Sequence, residues 1–299
     1  MAVGASAVFL LAGCSSGGDA GSERAEAAVT TSITAPAATT TTLPAPLADQ
    51  TPPNQANGID VDGATVWVTD FDTGTIVQVD RETGAILTRI DAGSASADDV
   101  ALAPDGSLWS SGIVSGELGQ TVDGRLTVAT TLEPGINGIS VAEDGTVYVA
   151  TGSTLSRFLP GDAEAEVVVI DLPDINGFGI LPDGRIFAPG GGFLGPGKAV
   201  VIDPATGEWE VVVDDLPGVA AADVDADGVP YLLSNVTGKL FRVDVEAGTA
   251  ELVDTVTEGL PFDNLAFADD GTLYFSSFAT ASLTERTPDG TVRTIPLGT

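Results

Sequence analysis

The sequence predicts an all-β protein, a six-bladed β-propeller with four antiparallel strands in each blade, and three observations carry that expectation. A short motif recurs six times, at intervals of 41, 39, 39, 44 and 43 residues, about the length of one four-stranded blade. An aromatic residue stands in register in every copy. No long helical periodicity interrupts the alternation of strands and turns.

The copies open at Asn57-Gly-Ile-Asp-Val, Asp98-Asp-Val-Ala-Leu, Asn137-Gly-Ile-Ser-Val, Asn176-Gly-Phe-Gly-Ile, Ala220-Ala-Ala-Asp-Val and Asp263-Asn-Leu-Ala-Phe. Turns follow at Asp105-Gly106, Asp144-Gly145, Asp183-Gly184, Asp227-Gly228 and Asp270-Gly271, a tight-hairpin signal because the turn needs positive φ. Three residues beyond each glycine comes Trp109, Tyr148, Phe187, Tyr231 or Tyr274, and Trp67 holds that place in the shorter first copy. These six are expected to form a packing layer between neighbouring blades. Third and fourth strands complete each copy, Thr75 to Asp80 and Ile86 to Asp91 in the first, joined by turns such as Asp80 to Gly84 and Asp203 to Gly207. The propeller is expected over residues 54–299, with no strand donated from the N-terminal side to its last blade.

The segment ahead of it reads as an address and a tether. Residues 1–14 form a short apolar run ending Leu11-Ala-Gly-Cys14, the pattern of a signal-peptide h-region. It resembles the lipobox of bacterial lipoproteins, which implies acylation at Cys14 and a protein outside the cytoplasm, held at the bacterial membrane by lipid alone. No Lys or Arg precedes the run, so the start of translation is expected upstream. Residues 15–53, rich in Ala, Ser, Thr and Pro, lack the apolar residues to offset their ordering entropy and read as a disordered linker.

Charge and composition exclude several functions. The chain of 299 residues carries 43 acidic against 11 basic side chains, a net charge of −32, with no histidine and one cysteine. Phosphate binding needs clustered Lys and Arg, so no nucleic-acid partner is expected. Histidine-based triads, bases and zinc sites are excluded, and the core must hold without a disulfide. A monomer acting on a small molecule is expected.

In a propeller the first strand of each blade lines the central channel, so equivalent residues opening those strands converge at one mouth. The set here is Asn57, Asp98, Asn137, Asn176, Ala220 and Asp263, with Asp98 and Asp263 flanking Asn57 once the ring closes. Two carboxylates sharing a poorly solvated mouth repel one another unless a cation relieves them. Carboxylate and amide oxygens suit Ca²⁺, so Asn57, Asp98, Asn137, Asn176 and Asp263 are candidate ligands of a divalent cation. Two other readings stand beside it: these residues cap the turns entering the strands, or they fill a solvated polar tunnel. Loops between second and third strands rim the same mouth and carry Asp70, Phe71, Asp72, Phe193, Leu194, Asn235 and Phe278. The run Pro189 to Gly197 is read as the longest of these loops, either a flexible lid or plain surface. Asp223-Val-Asp-Ala-Asp227-Gly228 spells the start of an EF-hand loop, but its twelfth position is Ser234, and a hairpin is the preferred reading.

The Asn-Gly opening followed by Asp-Gly, at Asn137 to Gly145 and Asn176 to Gly184, resembles the SMP-30/gluconolactonase/LRE-like propellers and, more distantly, the NHL and streptogramin-lyase-like ones, over residues 54–299. The resemblance implies an axial divalent metal held by Glu, Asn and Asp and the hydrolysis of lactones or related esters. On this chain Asn57, Asn137 and Asn176 match the amide positions, and Asp98 or Asp263 would supply carboxylate and general base. Two departures stand out: Pro53-Asn-Gln-Ala-Asn57 occupies the place of the family's early glutamate segment, and Ala220 stands where an enzyme could place an aspartate. The alternative is a non-catalytic extracytoplasmic module that binds a ligand or a protein.

Overall fold

Alternating branched residues make the repeated segments strands, and the computed structural model, which describes residues 49–92, 97–191 and 195–298, pairs them into six four-stranded antiparallel sheets. Blade one holds β1 (Ile59–Asp62), β2 (Thr65–Asp70), β3 (Thr75–Asp80) and β4 (Ile86–Asp91). Blade two holds β5 (Ala97–Leu102), β6 (Leu108–Gly112), β7 (Glu117–Val122) and β8 (Arg125–Thr131). Blade three holds β9 (Ile136–Val141), β10 (Val147–Thr151), β11 (Thr154–Phe158) and β12 (Glu166–Val169). Blade four holds β13 (Gly179–Ile180), β14 (Ile186–Gly190), β15 (Gly197–Ile202) and β16 (Trp209–Leu216). Blade five holds β17 (Ala221–Val224), β18 (Pro230–Leu233), β19 (Lys239–Asp244) and β20 (Thr249–Thr255), and blade six β21 (Leu265–Phe267), β22 (Leu273–Phe275), β23 (Ser282–Arg286) and β24 (Val292–Pro296). Every sheet uses strands consecutive in the chain. The signal segment with Cys14, the linker up to residue 48, and the rim residues Phe193 and Leu194 lie outside the described residues.

The core is six cores, one at each interface between blades, and each contains one of the six aromatics. Trp67 packs between blades one and two, Trp109 between two and three, and Tyr148 between three and four. Phe187, Tyr231 and Tyr274 close the interfaces four–five, five–six and six–one. Trp109, Phe187 and Tyr274 are fully buried, and burying each such side chain contributes roughly 1.5–3 kcal/mol. Trp109 meets Phe158 in a tilted pair with centroids 5.8 Å apart, a geometry the ring quadrupoles favour. Strands grow more exposed outward, so that β8, β12, β16 and β20 present Val128, Val167, Val211 and Leu252 to solvent.

The Asp-Gly turns form where expected, with the positive φ carried by the glycine. Gly106, Gly145, Gly184 and Gly271 have φ between 79° and 87°, whereas the preceding aspartates stay at negative φ, a type I turn closed by a left-handed glycine in place of a two-residue primed turn. The aspartate side chain locks the turn, accepting from the N–H two residues on at Ser107, Thr146, Arg185 and Thr272. The EF-hand-like stretch is such a hairpin, with Asp225 Oδ1 accepting from Asp227 and Val229 N–H. Pro189, Gly190 and Gly197, read as loop from the sequence, are strand residues of β14 and β15, so the intervening segment is shorter than expected.

Among the described residues the ring is closed by a strap that precedes blade one. Gln50 places both side-chain amide atoms on the backbone of Ile86, donating to its carbonyl at 3.0 Å and accepting from its N–H at 2.9 Å. Arg89 donates to the carbonyl of Thr51, and Ala56 N–H donates to the Ser277 carbonyl of blade six at 3.1 Å. Gly298 N–H reaches the Gly84 carbonyl at 2.9 Å, and Arg81 pairs with Asp270 at 2.5 Å across the same seam.

Candidate functional site

The first strand of each blade is paired on its outer side only, leaving inward N–H and C=O groups that need other partners. Side chains of the preceding blade supply several of them. Asp60 accepts from Leu102 N–H at 2.6 Å, Asp99 from Ile139 N–H at 3.2 Å and Asp223 from Phe267 N–H at 3.0 Å, while Ser140 Oγ donates to the Phe178 carbonyl at 2.6 Å. Each carboxylate also accepts from the N–H of its own successor, at 2.7 to 2.9 Å. From the sequence, Asp60, Asp99 and Ser140 have no assigned role, and Asp223 enters only as the start of the EF-hand-like stretch read as a hairpin. Asp60 and Asp223 nevertheless share a signal, an aspartate inside a strand three residues after the blade opener.

Asp99 and Asn264 stand one residue after their openers and meet inside the channel, Asn264 Nδ2 donating to Asp99 Oδ1 at 3.1 Å. Glycines make room for them. A Cβ on Gly177 of blade four would lie 2.1 Å from Asn264 Oδ1, and one on Gly58 would lie 2.4 Å from the Asp99 Cα. The Asn264 amide therefore spans from blade two to blade four. On the Asp-Gly side of this crossbar is a cavity of about 230 Å³ lined by Asp60, Asp99, Ser140, Asp223 and Asn264, which no blade-opening residue touches.

The openers lie at the other end, as the repeat predicts. Asn57 Nδ2 donates to Asp98 Oδ1 at 3.3 Å, and both residues are buried. Burial pushes Asp98 up to about 7, and burial followed by the Asp98 charge does the same to the part-buried Asp263. No Arg or Lys offsets either shift; the ion pairs among the described residues lie on the blade flanks and the closing seam. Among the described residues Asn57 Oδ1 is buried with no hydrogen-bond partner, a costly condition for an acceptor. Asn137 and Asn176 occupy equivalent, part-buried places in blades three and four, where Ser111 Oγ donates to the Asn137 carbonyl at 2.6 Å. Among the described residues no hydrogen bond joins either amide to Asp98 or Asp263. Ala220, in blade five, adds no oxygen-bearing side chain.

These groups suit a hard cation in chemistry: two carboxylates without a counter-charge, an orphaned amide oxygen and two further amides. Carboxylates alone do not complete a site, for among the described residues no three of His, Cys, Asp or Glu gather as metal ligands. Amide oxygens and water would have to supply the remaining positions.

The rim differs from expectation at two residues. Asp70 and Asn235 are fully buried, not displayed to a ligand. Asp70 accepts from Asn54 N–H, Asp72 N–H and Thr73 Oγ1, and Asn235 bonds Ala220 N–H and the carbonyls of Phe262 and Asp263. Both hold loop backbone, a duty that residue type alone does not separate from ligand contact. Phe71 is half-buried, and Phe278 and Asp72 are exposed. Val114 and Val236, on the corresponding loops of blades two and five, are exposed at the same mouth. Neither is among the rim residues expected from the sequence.

No family model matches the chain, and no curated protein does. Solved structures do. Virginiamycin B lyase from Staphylococcus aureus superposes with a TM-score of 0.62 at 16% identity, covering 82% of this chain and 85% of that one. The likeness is one of fold. A calcium-binding protein, regucalcin, from Agrobacterium tumefaciens gives a TM-score of 0.60 at 19% identity over 76% of this chain and 83% of its own. The PQQ-bound aldose sugar dehydrogenase from Streptomyces coelicolor gives 0.62 at 15% identity, over 78% and 91%.

Proposed function

We propose that this protein is a propeller of the SMP-30-like type, lipid-anchored through Cys14 outside the bacterial cytoplasm, whose axial mouth binds a divalent cation, Ca²⁺ by ligand chemistry, and hydrolyses a lactone or ester. The observation that carries the cation is the buried, unpartnered Asn57 Oδ1 beside two carboxylates that no basic side chain neutralises. The structural likeness to a calcium-binding regucalcin supports the same reading.

Asn57, Asp98 and Asp263 would hold the cation, with Asn137 and Asn176 facing the remaining coordination positions. When bound, such a cation polarises a carbonyl and acidifies water. Asp98 is oriented by the Asn57 amide and serves as a fixed ligand. Among the described residues no hydrogen-bond donor meets the Asp263 carboxylate, which would take the proton of the attacking water as its oxygen bonds the acyl carbon and return that proton to the leaving oxygen as the ester or lactone bond breaks.

Ala220 and the small number of carboxylates favour a second reading, in which the cation site is structural and the propeller binds a ligand without turnover. Thermal melting with Ca²⁺, Mg²⁺ or chelator separates cation binding from its absence. The wild type is expected to melt several degrees higher with Ca²⁺, following the mass-action gain of a ligand that binds the folded state, and the Asp98→Asn/Asp263→Asn double variant to be insensitive. Equal, metal-independent melting of both proteins would sink the site. Lactone turnover that depends on Ca²⁺ and on Asp263 then distinguishes enzyme from binder.

A further inference from the structure

The channel has a second polar end. On the Asp-Gly side of the Asp99–Asn264 crossbar, the inner strands of all six blades enclose about 230 Å³, well above the roughly 30 Å³ share of one water. Exposure rises along β1 from buried Ile59 through Asp60 and Val61 to Asp62, so the cavity opens toward the Asp-Gly turns. The polar side chains on its wall are Asp60, Asp99, Ser140, Asp223 and Asn264, with no Arg or Lys among them. The Ser140 hydroxyl is spent on the Phe178 carbonyl, and Asn264 donates to Asp99. What the wall offers a ligand is chiefly acceptors. A carboxylate has about four acceptor sites, whereas Asp60 is met by Val61 and Leu102 N–H and Asp223 by Val224 and Phe267 N–H.

The Asn264 side-chain oxygen is the group left over. Asn264 is 7% exposed, and its backbone N–H and C=O both bond Ser276. Its side chain is therefore what faces the channel. Among the described residues no donor reaches Oδ1. That oxygen lies where a Cβ on Gly177 would come within 2.1 Å of it, and both residues line the cavity. A buried acceptor without a donor carries a desolvation cost that a bound donor recovers.

We infer that this cavity binds a small organic dication, an alkyl diammonium, whose N–H groups meet Asn264 Oδ1 and the carboxylates of Asp60, Asp99 and Asp223. Charge and spacing select this class. Burial raises Asp60 to about 6 and Asp223 to about 7, the Asp60 charge adds to the shift of Asp223 from across the channel, and no Arg or Lys offsets either. Above those values the wall holds negative charge that a cation balances. A metal ion fits less well, because the acids stand on blades one, two and five and, among the described residues, no three gather as metal ligands. A molecule with several N–H donors reaches separated acceptors at once, through charge-assisted bonds stronger than neutral ones. The site lies across the crossbar from Asn57 and does not depend on the cation proposed there.

Calorimetric titration of the full chain in chelator, at about pH 8 so that Asp60 and Asp223 are ionised, tests this with three probes. They are diaminobutane, its fully methylated bis-quaternary analogue, which keeps both charges and has no N–H, and neutral butanediol. Diaminobutane is expected to bind at least about tenfold tighter than either. In the NMR spectrum of the wild type it should shift the amides of Leu102, Ile139 and Phe267, which rest on the three carboxylates, together with the Asn264 side-chain amide. Asp60→Asn/Asp223→Asn should weaken diaminobutane at least about tenfold, and Asp98→Asn/Asp263→Asn, at the opposite mouth, should leave it unchanged. Absence of binding, equal or tighter binding of another probe, shifts that miss these four groups, or undiminished affinity in Asp60→Asn/Asp223→Asn overturns the inference. So does a loss confined to Asp98→Asn/Asp263→Asn, which would move the ligand to the opener mouth. Diaminobutane binding that meets these tests stands even if Ca²⁺ fails to raise the melting temperature, an outcome that overturns the axial cation alone.

Discussion

Asn264 of blade six donates its side-chain N–H to the carboxylate of Asp99 in blade two, 3.1 Å away and past the intervening blade one. Both residues are buried, and Asp99, pushed well above its usual range by burial and then by the charges of Asp98 and Asp263, also accepts from Val100 and Ile139 N–H. The pair ties three blades together at the axis. Asn264→Ala removes one donor from a buried acid and is expected to cost about 1–3 kcal/mol, read as a lower denaturation midpoint. In a double-mutant cycle with Asp99→Ala, the two losses should fall short of additive.

Gly58 tests how closely the inner strands must approach. Its Cβ would meet the Cα of Asp99 at 2.4 Å, a backbone atom that cannot turn aside. Gly58→Ala is expected to destabilise by about 1–3 kcal/mol through overpacking. Gly106→Ala is the comparison, since its Cβ would meet open space and only its φ of 84° opposes the change, costing about 1–2 kcal/mol. Only Gly58→Ala should also disturb the near-axis amide signals of Asp98 and Asp99 in an NMR spectrum.

The staple aspartates make stability depend on pH in an unusual direction. Burial raises Asp60 to about 6 and Asp223 to about 7, with smaller contributions from Asp62 on the first and from Asp60 and Asp225 on the second. Raised acids bind protons more tightly in the folded than in the unfolded chain. Their stabilisation is therefore present at low pH and declines as pH rises from about 4 through about 7. The turn aspartates Asp105, Asp144 and Asp270 are lowered by hydrogen bonds and oppose this only below about pH 4. Melting in chelator is expected to be highest between about pH 4 and 6 and to fall toward about pH 8. Asp60→Asn/Asp223→Asn should flatten the alkaline limb.

Gln50 is the test of ring closure. Its side chain mimics a strand partner by meeting both N–H and C=O of Ile86, so Gln50→Ala removes two hydrogen bonds at the blade-one edge. A loss of about 1–2 kcal/mol is expected. Hydrogen exchange should accelerate first at Ile86 and at Ala56, whose N–H pairs with Ser277. The Ca²⁺ response proposed for the axial mouth should persist.

Trp67, Trp109, Tyr148, Phe187, Tyr231 and Tyr274 announced the fold because an inter-blade core repeats with the blade, and a repeated burial requirement writes a repeated residue. The openers were legible for the same reason: equivalent places in equivalent strands converge on one axis whatever lies between them. Finer distinctions were not. Asp70 and Asn235 lie on the loops that carry the exposed Asp72 and Val236, yet both are spent on loop backbone.

The sequence by itself determined the order of the strands, the places of the Asp-Gly turns and the blade count, since these follow from local pattern and period. Only the tertiary structure decided which polar groups are satisfied. Asp99 finds Asn264 across a separation of 165 positions, Asp60 finds Leu102 across 42, and Asn57 Oδ1 finds nothing. A hydrogen bond depends on distances of a few tenths of an ångström between groups far apart in the chain, and repetition places a residue without pairing it.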